Sequence, residues 1–122
     1  MTQERRRLPR IGCVLPVRLY SSEQPNVPKV IETLTKDLGS GGLRCLSPSE
    51  HTVSSPISLE ITLGPGEKPL SLRAQIVWVE TVPHSQQFYL GLAFHHLSDA
   101  DTKRLSRYVE KISSHLSPSN AS

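Results

Sequence analysis

The segment Ile57-Ser58-Leu59-Glu60-Ile61-Thr62-Leu63 alternates apolar and polar residues without a break. Only a strand with one buried face satisfies a period of two over that length. Two more runs share the period. Leu70, Leu72, Ala74, Ile76 and Trp78 fall on one face of a long strand, and Phe88, Leu90, Leu92 and Phe94 on one face of another. Gly64-Pro65-Gly66 and Pro83-His84-Ser85-Gln86 supply the turns between them. After His96 the period changes to 3.6: Leu105, Tyr108, Val109, Ile112 and Leu116 form one helical stripe. Ser98, with Asp101 three residues on, is a variant capping box at its start.

Three further strands are predicted upstream: Cys13 to Tyr20, Lys29 to Lys36 with Val30, Ile31, Thr33 and Thr35, and Leu43 to Ser47. Six short strands separated by turn signals imply a mostly β fold, a six-stranded antiparallel barrel. The helix, expected over about 98–116, must bury its stripe on that barrel. Ser117-Pro118-Ser119-Asn120 should end it, leaving 117–122 as a disordered tail. Residues 1–11 form a polar, arginine-rich flexible arm containing Pro9, and 12–116 the barrel with its helix.

A chain of 122 residues is enough for one domain with a core that needs no disulfides. Cys13 and Cys45 lie far apart, each among apolar neighbours, and are read as reduced, partly buried thiols. No C-x-x-C is present, so a zinc ribbon or redox motif is unsupported. No apolar run reaches membrane-spanning length, and the stretch after the basic N-terminus is broken by Pro16. The expectation is a cytoplasmic protein without membrane insertion. His95 and His96 are adjacent on a strand and should point to opposite faces, a poor metal pair. No nucleophile–base set or metal-ligand spacing stands out, so no catalytic residue, metal or cofactor is assigned.

Two segments carry chemistry. Arg5-Arg6-Arg7-Leu8-Pro9-Arg10 holds four of the fourteen basic residues of a chain whose net charge is only +3, so its charge is a local feature. Asp37-Leu38-Gly39-Ser40-Gly41-Gly42 sets one carboxylate beside a glycine-rich backbone. Arginine pairs with guanine O6 and N7 and with phosphate; a carboxylate accepts from guanine N1 and N2. A guanine nucleotide with exposed phosphates would use both segments. Each also has a plainer reading: a solvated basic tail, and an ordinary turn whose Asp bonds its own backbone. The turn lacks the Gly-Lys-Ser/Thr of a P-loop and the spacing of a nucleophile elbow. Trp78, the sole tryptophan, is read as core rather than as a base-stacking platform.

In their order along the chain these residues resemble the PilZ domain family, marked by an R-x-x-x-R arm and a [D/N]-x-S-x-x-G turn. Arg6 and Arg10 match the arm; Asp37 and Gly42 match the ends of the turn. Leu15-Pro16-Val17-Arg18, Ile76-Val77-Trp78 and Gly91-Leu92-Ala93-Phe94 extend the likeness over residues 5 to 115. The resemblance implies a bacterial receptor for cyclic di-GMP. Arg6 and Arg10 would grip guanine edges and phosphates, Asp37 would read the Watson–Crick edge, and Gly42 would allow the tight turn. Arg5, directly before the arm motif, implies two intercalated ligand molecules. Gly39 and Ser40 complete the binding set, with one departure: the family serine falls at Gly39, and Ser40 stands one place late, where an extended chain points to the opposite face.

The implied role is a non-enzymatic adaptor. Ligand folds the arm over the barrel near Asp37, and the changed surface meets an effector protein. The alternative, which the Gly39 departure favours, is a PilZ-like interaction domain that binds no nucleotide. A barrel binding polymeric RNA or DNA would need more aromatic and basic residues on one face than an aromatic content of 5% offers.

Overall fold

The computed structural model describes the backbone of residues 10–21 and 27–121, and side chains within 11–21 and 27–112. Arg5, Arg6 and the rest of the expected arm up to residue 9 lie outside the described residues, as does Ser122. The elements are β1 (Arg10–Gly12), β2 (Pro16–Tyr20), β3 (Val30–Gly39), β4 (Gly42–Ser47), β5 (Pro56–Ile61), β6 (Leu70–Thr81), β7 (Phe88–Phe94) and α1 (Asp99–Ala121).

The sheet order is β1-β3-β2-β5-β6-β7-β4, and β4 pairs back onto β3. That last pairing closes a six-stranded antiparallel barrel, with β1 as a short addition along β3. Closure removes the open edges a flat sheet would present. The alternation read in β5 holds, with Ile57, Leu59 and Ile61 inside and Ser58 outside. Leu19, Leu43, Cys45, Ile76 and Leu90 are fully buried with them.

The predicted strand from Cys13 is split in two. β1 and β2 both run along β3, Arg10 facing Gly39 and Tyr20 facing Val30, with Cys13–Leu15 as an irregular step between them. Thr35 of β3 fills that step. Its buried hydroxyl accepts from the Leu15 amide at 2.9 Å and donates to the Cys13 carbonyl at 2.7 Å. A side chain thus satisfies two backbone groups that a regular ladder would have paired. Residue 11, the expected arm–barrel boundary, lies in β1.

Helix α1 begins where the capping signal places it. The Asp101 amide donates to Ser98 Oγ at 3.1 Å, and Asp99 and Asp101 occupy the positively polarised first turn. Leu105 and Val109 are buried in the barrel core, with Tyr108 and Ile112 packed against it. The helix continues to Ala121 instead of stopping at 116. Pro118 lies among its last four residues.

Trp78 is not core. A bulge between Ile76 and Trp78 inserts a residue into β6, so Val77 and Trp78 are 45% and 37% exposed while Ile76 stays inside. A bulge re-aims the side chains that follow it, and simple alternation cannot show one. His95 and His96 lie beyond the end of β7, both exposed; they are not on a strand. Both cysteines are free thiols, Cys45 buried and Cys13 half-buried.

Candidate functional site

Asp37 was expected in a turn. It lies instead in β3, and only Ser40 and Gly41 form the loop to β4. The phenomenon is register: Leu38 faces Leu43 and Asp37 faces Arg44. Arg44 donates to Asp37 Oδ2 from both Nε and Nη2, at 2.9 and 2.8 Å. The carboxylate is 17% exposed and the guanidinium side chain 38%. On its other flank Arg44 lies over the Tyr89 ring, with its guanidinium carbon 5.5 Å from the centroid, and Lys36 Nζ stands 5.8 Å from the same centroid. Two cations over one ring add positive charge beside the carboxylate, each attracted by the electron-rich ring face.

β1 brings the end of the arginine segment to this place. Gly12 is the partner of Asp37, Ile11 of Leu38 and Arg10 of Gly39. The chain thus leaves the barrel directly across from the carboxylate. Gly12 itself is exposed, so the ground beside Asp37 is bare backbone. Gly39 is buried, Ser40 half-buried, and the Gly41 carbonyl accepts from the Phe94 amide at 2.9 Å, which ties the loop to β7.

Gly42 does not serve the tight turn expected of it. Among the described glycines only Gly66 has a positive φ. Gly42 is required by close approach: a Cβ there would run into the Leu92 carbonyl oxygen, with Ala93 Cα 3.3 Å away. Gly91, opposite Arg44, is covered by the indole of Trp78 in the same way. Around Asp37, then, Gly12 and Gly41 are the exposed glycines, while Gly39, Gly42 and Gly91 are buried, with Arg44, Tyr89 and Trp78 on the same outer face.

Arg44, Lys36 and Tyr89 were missed in the sequence reading, and Trp78 was assigned to the core. Arg44 had a signal. A two-residue loop at Ser40–Gly41 makes 39 face 42, 38 face 43 and 37 face 44. Reading all of 37–42 as turn concealed that pair.

A hollow of about 910 Å³ lies elsewhere, along β5, β6 and the start of α1 beside Glu60, Arg73, His95 and Asp101. It shares no lining residue with the Asp37 face. Among the described residues no three His, Cys, Asp or Glu side chains cluster as metal ligands, and no helix is long and apolar enough to cross a membrane.

Solved structures share this architecture. The PilZ domain of Escherichia coli YcgR with c-di-GMP superposes with a TM-score of 0.70 at 16% identity, covering 96% of this chain and 98% of that one. A second structure, E. coli YcgR in complex with c-di-GMP, gives 0.76 at 17% identity, over 96% of this chain and 50% of that one. The Bacillus subtilis inhibitor of motility MotI/DgrA gives 0.72 at 19%, over 87% and 50%. The chain thus spans about half the length of the last two. No curated protein sequence matches it. The family profile described as PilZ domain matches residues 4–111, from the arginine segment through the barrel and into the helix that packs on it, and on that match the chain belongs to the PilZ domain family.

Proposed function

We propose that this protein is a cyclic di-GMP receptor and adaptor. The observation that carries the reading is the pairing of Arg10 with Gly39 and of Gly12 with Asp37. It supports an arm whose arginines meet a ligand seated on the Asp37 face. Asp37 would accept from guanine N1 and N2, Arg6 and Arg10 would pair with guanine edges and phosphates, and Arg5 would favour an intercalated ligand pair. The bases would approach beside Ser40 over the exposed backbone of Gly12 and Gly41, with buried Gly39 and Gly42 beneath the loop. Lys36 and Arg44 add charge of the sign that phosphates need. Several PilZ structures of this fold were solved with c-di-GMP, including Klebsiella pneumoniae MrkH.

Output to an effector protein would run through β1, which pairs with the binding segment of β3 while α1 packs against both strands. Ordering the arm would fix the surface that β1 and α1 share. Such an adaptor would work in the bacterial cytoplasm and would need no cofactor or catalytic group.

Isothermal titration calorimetry with cyclic di-GMP, and GTP as control, tests the reading. Micromolar or tighter binding, lost in Arg10→Ala with the fold retained, is the expected result. The fitted stoichiometry separates one ligand from the stacked pair. The second reading, an interaction domain without nucleotide, draws on Gly39, which lacks the family hydroxyl. One neutral hydrogen bond is worth about 1 kcal/mol, so its loss weakens binding severalfold without abolishing it. Absence of heat at high ligand concentration would favour this second reading.

A further inference from the structure

We propose that Arg44 is an internal competitor for Asp37, a built-in mimic of the guanine edge that the ligand must displace. The inference rests on the cyclic di-GMP reading and names the residue that sets its affinity. Guanine presents N1–H and N2–H to a carboxylate as two nearly parallel donors on one carbon, and that N–C–N unit is a guanidine fragment. Arg44 carries the same N–C–N donor pair, here converging on one carboxylate oxygen rather than spanning both. Nε and Nη2 both donate to Oδ2, at 2.9 and 2.8 Å, and two donors fill the lone pairs of one carboxylate oxygen. Guanine and Arg44 therefore exclude one another at Oδ2.

The displaced side chain has somewhere to go. Arg44 stacks over Tyr89 and its side chain is more than a third exposed; because the Trp78 indole covers Gly91 opposite it on β7, the swing runs outward over the Tyr89 ring. A guanidinium pivoting on Tyr89 keeps its charge near the ligand and presents its N–H groups to phosphate or to guanine O6. Arg44 thus opposes binding at the base, and the charge it keeps near the phosphate offsets only part of that cost.

The test compares the whole protein with Arg44→Met, which keeps an apolar stem against Tyr89 and removes the donors. Calorimetry with cyclic di-GMP should give Arg44→Met binding about fivefold tighter than wild type. Binding by Arg44→Met alone would support a latch held closed in the wild type. In wild-type protein, the Arg44 Nε–H resonance should shift and lose exchange protection when cyclic di-GMP saturates the site. Wild-type binding with equal or weaker affinity in Arg44→Met overturns the competitor and leaves the receptor reading intact. Should Arg44→Met not fold, an Arg44 Nε–H signal unmoved by saturating ligand overturns it equally. Binding by neither protein overturns both readings.

Discussion

Asp37 and Arg44 meet across the β3–β4 pair with both guanidinium donors on a single carboxylate oxygen. The pair belongs to the free protein, so replacing Asp37 should have two separable effects. Stability should change little, because the guanidinium is more than a third exposed and solvent screens the pair: about 1 kcal/mol or less for Asp37→Ala. Cyclic di-GMP affinity should fall by tenfold or more, since the guanine donors lose their acceptor. Urea unfolding beside calorimetry checks this. A variant that unfolds easily yet binds normally would make Asp37 structural and nothing else.

Gly42 and Gly91 share a face but should respond differently to alanine. At Gly42 the new methyl meets backbone, the Leu92 carbonyl across the β4–β7 pair, and neither strand can retreat without breaking the barrel. Overpacking against a fixed wall costs about 1–3 kcal/mol or more, and Gly42→Ala should lie at or beyond the top of that range. At Gly91 the obstacle is the half-exposed Trp78 indole, which can swing outward. Gly91→Ala should cost about 1 kcal/mol and shift tryptophan emission to the red. Equal losses in the two melts, with emission unchanged, would contradict this account.

Thr35→Val isolates the step between β1 and β2. The substitution keeps the shape and removes the hydroxyl that serves the Leu15 amide and the Cys13 carbonyl. Leaving a buried donor and acceptor unmatched costs about 1–3 kcal/mol for each group left bare. Hydrogen exchange should place the opening at Leu15. Exchange at Leu15 no faster than in the wild type would show that the step holds without the hydroxyl.

The barrel was legible because one face of each strand is buried, and burial writes a period of two into Ile57–Leu63 and its neighbours. The helix start was legible because capping is local chemistry between Ser98 and Asp101. What escaped was set by inserted residues. The irregularity between Thr35 and Asp37 and the one between Ile76 and Trp78 each shift register by one, and such a shift leaves no mark in composition. Trp78 was therefore assigned inside. Asp37 was singled out from its motif, but its partner Arg44 was not, because the partner depends on where the loop begins. The helix runs past Pro118 to Ala121, for which the sequence offers no local signal.

Stability should peak between about pH 6.5 and 9, with a different group responsible for each flank. Burial raises the Cys45 thiol from 9.0 to about 12 and raises Cys13 in the same direction. A thiol held neutral in the folded protein contributes its full stability below the unfolded value of 9.0, and that contribution is lost as pH rises toward the folded value. The limiting slope is about 1.4 kcal/mol per pH unit for one group. On the acid side, burial lowers His51 from 6.5, with its Nε2 3.1 Å from Ser47 Oγ. The folded protein favours the neutral ring, so stability present above 6.5 declines as pH falls below it. Urea midpoints from pH 5 to 10.5 should trace this dome. Cys45→Ala should be less stable at neutral pH, because it leaves a small cavity, yet lose less on going to pH 10.5. An alkaline flank of unchanged steepness in that variant would remove Cys45 as its source.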